Sequence, residues 1–238
     1  MKDILKVMRF DYLTARPLAI VELVFSIVML GSLSLFFSPI ICSYLTLLSM
    51  VLVIPLQSTA EKSGFHKLYG ILPVGRRNIT RARFLYIYLV FFLMQLLELG
   101  IACLAWTLRL CRIFEGTGTG LAALVADSFS DRPLALQMIF GLFTVMCLLF
   151  SYMEMMGQIF GRENEFKIIM ATIGAVCALA FLFAFLSEHD LIPPGLLPHL
   201  PETAAGTVVL GAVLDAAVLG MCLLFGEITA SKMAAREL

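Results

Sequence analysis

Apolar residues in this chain gather into long runs broken by short polar segments. Crossing a hydrocarbon layer of ~30 Å takes ~20 helical residues at 1.5 Å rise each. Six stretches meet that requirement: 18–37, 39–57, 84–108, 134–157, 167–187 and 204–226. The first two are separated only by Ser38 and Pro39, where proline interrupts the run and a tight turn is expected. The predicted fold class is therefore an all-α integral membrane protein, a single transmembrane domain over residues 1–238 with six transmembrane helices.

The polar segments set the orientation. Residues 1–16 place Ile4, Leu5, Met8 and Tyr12 at helical spacing beside Lys2, Lys6 and Arg9, the pattern of an amphipathic helix lying on a membrane surface. This segment precedes an apolar run longer than that of a signal peptide, with no small-residue cleavage motif after it, so the first helix is expected to stay uncleaved. Fourteen of the seventeen basic residues fall in the N-terminal segment, the 58–83 segment, the loop between the fourth and fifth spans and the C-terminal tail. Arg109, Arg112 and Arg132 fall on the other side. The excess of positive charge on cytoplasmic loops then puts both termini in the cytoplasm. Residues 188–203 hold four prolines among apolar side chains, which fits a short extracellular re-entrant or interfacial piece better than one continuous helix.

Composition narrows the function classes. The chain is 61% hydrophobic and only 14% charged, too little polar surface to cover a water-soluble globule. A formal net charge of zero gives no global attraction to nucleic acid. The six cysteines form no CxxC pair or metal-spaced cluster, and five of them lie inside apolar runs as small packing residues. No phosphate-binding loop is present: the GTGTG run at Gly116–Gly120 lacks the lysine, and no zinc-protease or serine-hydrolase motif occurs. No catalytic residue, metal site or cofactor is therefore expected in this chain.

The 58–86 segment is the most informative. It combines an apolar stretch from Phe65 to Leu72, a break at Pro73, and then arginines leading into the third span, where Asn78 or Thr80 is expected to cap a helix. A solvated basic loop accounts for the arginines but not for the apolar stretch, which suggests a docking element. Glu61-Lys62, then Leu72-Pro73-Val74-Gly75-Arg76-Arg77-Asn78-Ile79, then Arg83 just before the third span resembles the membrane subunits of type-2 ABC transporters. More narrowly, it is similar to small bacterial permeases that export peptides. Gly75 stands where that family usually has serine, and Arg83-Phe84 where it often has lysine and tyrosine. The resemblance implies a permease in the bacterial cell membrane that forms the pathway as a homo- or heterodimer. A separate ATPase subunit would bind ATP and magnesium, and 58–83 would be a coupling helix seated on it. By position, Glu61, Lys62, Phe65, Leu68, Tyr69, Leu72, Pro73, Arg76 and Arg77 would touch or orient that ATPase, an apolar anchor with a basic rim.

Acidic residues inside the spans complete the reading. Glu22, Glu98, Glu154 and Asp215 lie within apolar runs, and a charge at mid-bilayer costs at least ~2.5–3.5 kcal/mol on insertion scales. Glu98 and Asp215 are expected to face the bundle, either lining a route for a cationic or amphipathic substrate or hydrogen-bonded in the packing. Glu22 and Glu154 are expected to reach water. The small residues Gly206, Gly211, Ala212, Ala216, Ala217 and Gly220 of the last span predict close packing against another helix. Beside the exporter stand two other classes: a stand-alone transporter with Glu98 and Asp215 as proton-coupling carboxylates, and an intramembrane enzyme using Asp215 with a second carboxylate.

Overall fold

The computed structural model describes residues 4–9, 12, 20, 21, 24, 25, 27–36, 39–50, 53, 76–108, 131–161, 201–235 and individual positions between 164 and 185. The described residues are almost all helical, with no strand among them. Three long helices are apolar and long enough to cross a membrane. They follow two short ones, α1 (Ser32–Phe36) and α2 (Leu45–Leu48), and are α3 (Arg76–Leu108), α4 (Arg132–Phe160) and α5 (Ala204–Ala235).

The helix ends follow local chemistry. At the start of α4 the Asp131 carboxylate accepts the Leu134 N–H at 3.1 Å, and Pro133 occupies the first turn, where its missing donor costs nothing. The helix stops at Gly161, whose φ of +82° is the left-handed conformation that glycine adopts without a Cβ clash. Thr203 caps α5, its hydroxyl accepting the Gly206 N–H at 3.2 Å. Gln137 of α4 donates to the Pro201 carbonyl at 3.0 Å, which ties the start of α5 to α4.

The expected cap at Asn78 or Thr80 is not formed: α3 begins at Arg76, so 76–83 are its first two turns. Arginine and alanine are strong helix formers, and Arg77 and Arg81, one turn apart, both bond Glu227 of α5. At 33 residues α3 is ~50 Å long and overhangs a ~30 Å hydrocarbon layer.

Among the described residues the backbone is irregular between Ile27 and Leu48. Residues Ile27–Gly31 form a π-helical turn, α1 follows, and Pro39–Tyr44 wind as a 3-10 helix into α2. Ser38, at the predicted turn, lies outside the described residues; on its C-terminal side a 3-10 helix, not the start of the expected regular span over 39–57, begins at Pro39. Of the 167–187 stretch, the described positions are helical, and the Thr172 hydroxyl lies 3.0 Å from the Tyr152 hydroxyl of α4.

The core lies where α3, α4 and α5 meet. Ile87, Val90, Phe91 and Met94 of α3 pack with Phe143, Cys147 and Phe150 of α4 and Val218 and Cys222 of α5. Phe143 stands edge-on to both Tyr88 and Phe92, with centroids at 5.9 and 6.4 Å. A second cluster joins Cys42 and Leu45 to Ile101, Ala102 and Ile139, holding the 39–48 segment against α3 and α4. Close approach of α5 to α4 centres on Gly211, where a Cβ would fall 2.4 Å from the Phe140 ring. Of the small residues expected to pack, Gly211 does so, whereas Ala212, Ala216, Ala217 and Gly220 face outward. The last span is apolar all round, so its sequence did not say which stripe of small residues faces the bundle.

Candidate functional site: a buried polar seam along α3

Glu98 points inward from α3 and is completely buried. One of its oxygens, Oε1, accepts both the backbone N–H and the hydroxyl of Thr46, each at 2.6 Å. Thr46 lies in α2, directly after the 3-10 turn, so the irregular segment presents two converging donors to one carboxylate oxygen. The Cys42 thiol donates to the Glu98 backbone carbonyl at 3.5 Å. Among the described residues Oε2 has no hydrogen-bond partner.

One turn before Glu98 on α3, Gln95 is also completely buried and donates from Nε2 to Asp215 Oδ1 at 3.2 Å. Tyr88, two turns further back, donates to the Asp215 backbone carbonyl at 3.4 Å. The seam thus runs from Thr46 through Glu98 and Gln95 on α3 to Asp215 on α5. Both acidic residues singled out from the sequence do face the bundle. Gln95 and Thr46 were missed, because neutral polar residues within an apolar run carry no charge signal.

Glu154 departs from expectation. It does not reach water: it is 3% exposed, and its Oε1 accepts from Arg83 at 3.0 Å and from Gln158 at 2.6 Å. An ion pair between α3 and α4, 71 residues apart in sequence, compensates the buried charge. Glu22 lies outside the described residues. The Cys222 thiol of α5 sits 3.2 Å from the Ser151 hydroxyl and 3.8 Å from the Cys147 thiol, which agrees with reading these cysteines as packing residues; Cys103, by contrast, is exposed on α3.

At the Arg76 end of α3 a collar forms. Residues 4–9 are helical, and Val7 is buried against Ile79 and Ala82, with Ile4 and Met8 beside it. Leu5 and Tyr12, expected on the same apolar face, point outward instead. On the other side Arg77 and Arg81 converge on the Glu227 carboxylate, with Arg77 donating from both Nε and a terminal nitrogen at 3.2 and 2.6 Å. Arg77 remains largely exposed while held.

Glu61, Lys62, Phe65, Leu68, Tyr69, Leu72 and Pro73 lie outside the described residues, as does the Arg76 side chain. Among the described residues no three histidine, cysteine or acidic side chains cluster as a metal site would require. Compared with protein-family models, with curated proteins and with solved structures, the chain matches none.

Proposed function

We propose that this chain is the permease subunit of an ATP-driven ABC exporter in the bacterial cell membrane, with both termini in the cytoplasm. The observation that carries the reading is the collar. The segment with the coupling-helix sequence pattern runs directly into α3, whose first turns are gripped by helix 4–9 on one side and by Glu227 of α5 on the other. Work delivered to 58–75 then reaches α3 and α5 together instead of bending one helix end.

In this reading two such chains, identical or related, form the pathway. A separate ATPase binds ATP and magnesium, and its closure moves the coupling segments and re-packs the spans, opening the path to one side. Asp215, part-buried on α5, places an acidic group within the bundle, which suits a cationic or amphipathic cargo such as a peptide.

Gentle detergent extraction from the native membrane tests the assignment. An ATPase subunit is expected to co-purify with the chain and to be lost when Leu68, Tyr69 and Leu72 are changed to Asp. Extraction that never retains an ATPase defeats the reading. The completely buried Glu98 carboxyl favours a second reading, a stand-alone proton-coupled transporter. Transport that survives ATP depletion and is lost in Glu98→Gln would select it.

A further inference from the structure

Among the described residues, Glu98 Oε2 and Gln95 Oε1 are buried without hydrogen-bond partners, and both residues are 0% exposed. Ser34 lies beside Cys42, whose thiol bonds the Glu98 backbone carbonyl, and Gln95 is one turn from Glu98 on α3. An ionised carboxylate in such a place must be matched by a cation or by donors. Oε1 is matched by the two donors of Thr46. Oε2 is not.

Among the described residues, the charged groups around it do not fill the gap. Residues 27–36 and 39–50 contain no acidic or basic side chain; their titratable groups are Cys42 and the exposed Tyr44. On α3 the nearest basic residue towards the N-terminus is Arg83, ~22 Å along the axis and engaged with Glu154. Tyr88 is also on α3 and bonds the Asp215 carbonyl. From α4, Ile139 packs beside this region, and no charged residue lies between Arg132 and Glu154. Arg132 sits over the Trp106 ring, 5.8 Å from its centroid. From α5 the ionisable neighbour is Asp215, bonded to Gln95.

We propose that Glu98 is a proton-binding site in the bundle interior, holding a proton on Oε2 and exchanging it when the 39–48 segment shifts on α3. A proton supplies what the geometry lacks. It turns Oε2 from an acceptor into a donor, and a buried acceptor without a partner among the described residues, Gln95 Oε1, lies one turn away on the same helix. Oε1 keeps its bonds to Thr46 unchanged. A hard metal ion needs six or so oxygen ligands, which this group of side chains does not offer. The π and 3-10 turns on either side of α1 are where the backbone leaves regular helix, so the segment that covers the carboxyl is the one built to shift. The inference rests on α3 being a membrane span and on neither proposed energy source.

Infrared spectroscopy of the full chain reconstituted in lipid at neutral pH tests it. A carboxylic-acid carbonyl band is expected that vanishes in Glu98→Gln, survives in Glu154→Gln and shifts down after transfer to D2O. Absence of an acid band assignable to Glu98 overturns the proposal. A band that never shifts in D2O overturns it equally, because the proton is then a fixed part of the packing. If Glu98→Gln does not fold, Glu98→Asp moves the band without removing it, and Thr46→Val shifts its frequency by deleting one donor to Oε1. None of these outcomes bears on ATPase co-purification, so the two readings fail separately.

Discussion

Single atoms decide much of how tightly this bundle closes. Gly211 has no room for a methyl group against the Phe140 ring, whereas Gly220 has nothing within 4 Å of where its Cβ would be. Gly211→Ala is therefore expected to lower stability by about 1–3 kcal/mol, through overpacking. Gly220→Ala should be neutral or gain up to about 1 kcal/mol from helix propensity. Thermal unfolding of the two variants in the same detergent makes the comparison, and Phe140→Leu should recover part of the Gly211→Ala loss. Arg83→Met removes the Arg83 guanidinium from the buried Glu154 carboxylate and is expected to cost about 3–5 kcal/mol. Adding Glu154→Leu should restore most of that, and equal losses in single and double variants would contradict the pairing. The sequence displayed Glu154 but not its partner, because two residues from different helices meet only after packing. Proximity to a span end suggested water, and the fold supplied arginine.

The elements were legible to different degrees. Runs of more than twenty apolar residues identified α3, α4 and α5, since length alone separates such helices from soluble ones. Their ends were harder to place. After Pro73 a helix start is expected at Asn78 or Thr80, yet α3 begins at Arg76, its first turns stabilised by contacts to helix 4–9 and α5 that no local pattern encodes. In helix 4–9, expected to lie on a membrane surface, Val7 packs on α3 with Ile4 and Met8 beside it, while Leu5 and Tyr12 are exposed. Val7→Asp is expected to release this helix from Ile79 and Ala82, read as faster amide exchange across 76–83 with the core of α4 unchanged. Glu227→Gln should loosen the same turns with little change in thermal stability, since the group is solvent-exposed and screened. Raising salt should imitate that substitution in the wild-type chain and have no further effect on the variant.

For the molecule as a whole, charge asymmetry gives a topology that chemical labelling can check. A cysteine placed at Glu61 is expected to react with an impermeant thiol reagent only from the cytoplasmic side, and one at Glu202 only from the outside, in a background with all six native cysteines replaced. Reversal of that pattern would remove the basis for an ATPase contact. The seam was legible in its charges, Glu98 and Asp215, and illegible in its neutral links, Gln95 and Thr46, because an amide or a hydroxyl in an apolar run looks the same whether or not it has a partner. The overhang of α3 has one more consequence. Glu98 stands 22 residues beyond Arg76, about 33 Å along a single helix, so tilting that rod by ~5° about its arginine-bearing tip sweeps the carboxyl through ~3 Å, roughly the width of a water molecule. A tiller of that length turns a slight nudge at one surface into the difference between a dry acid and a wetted one.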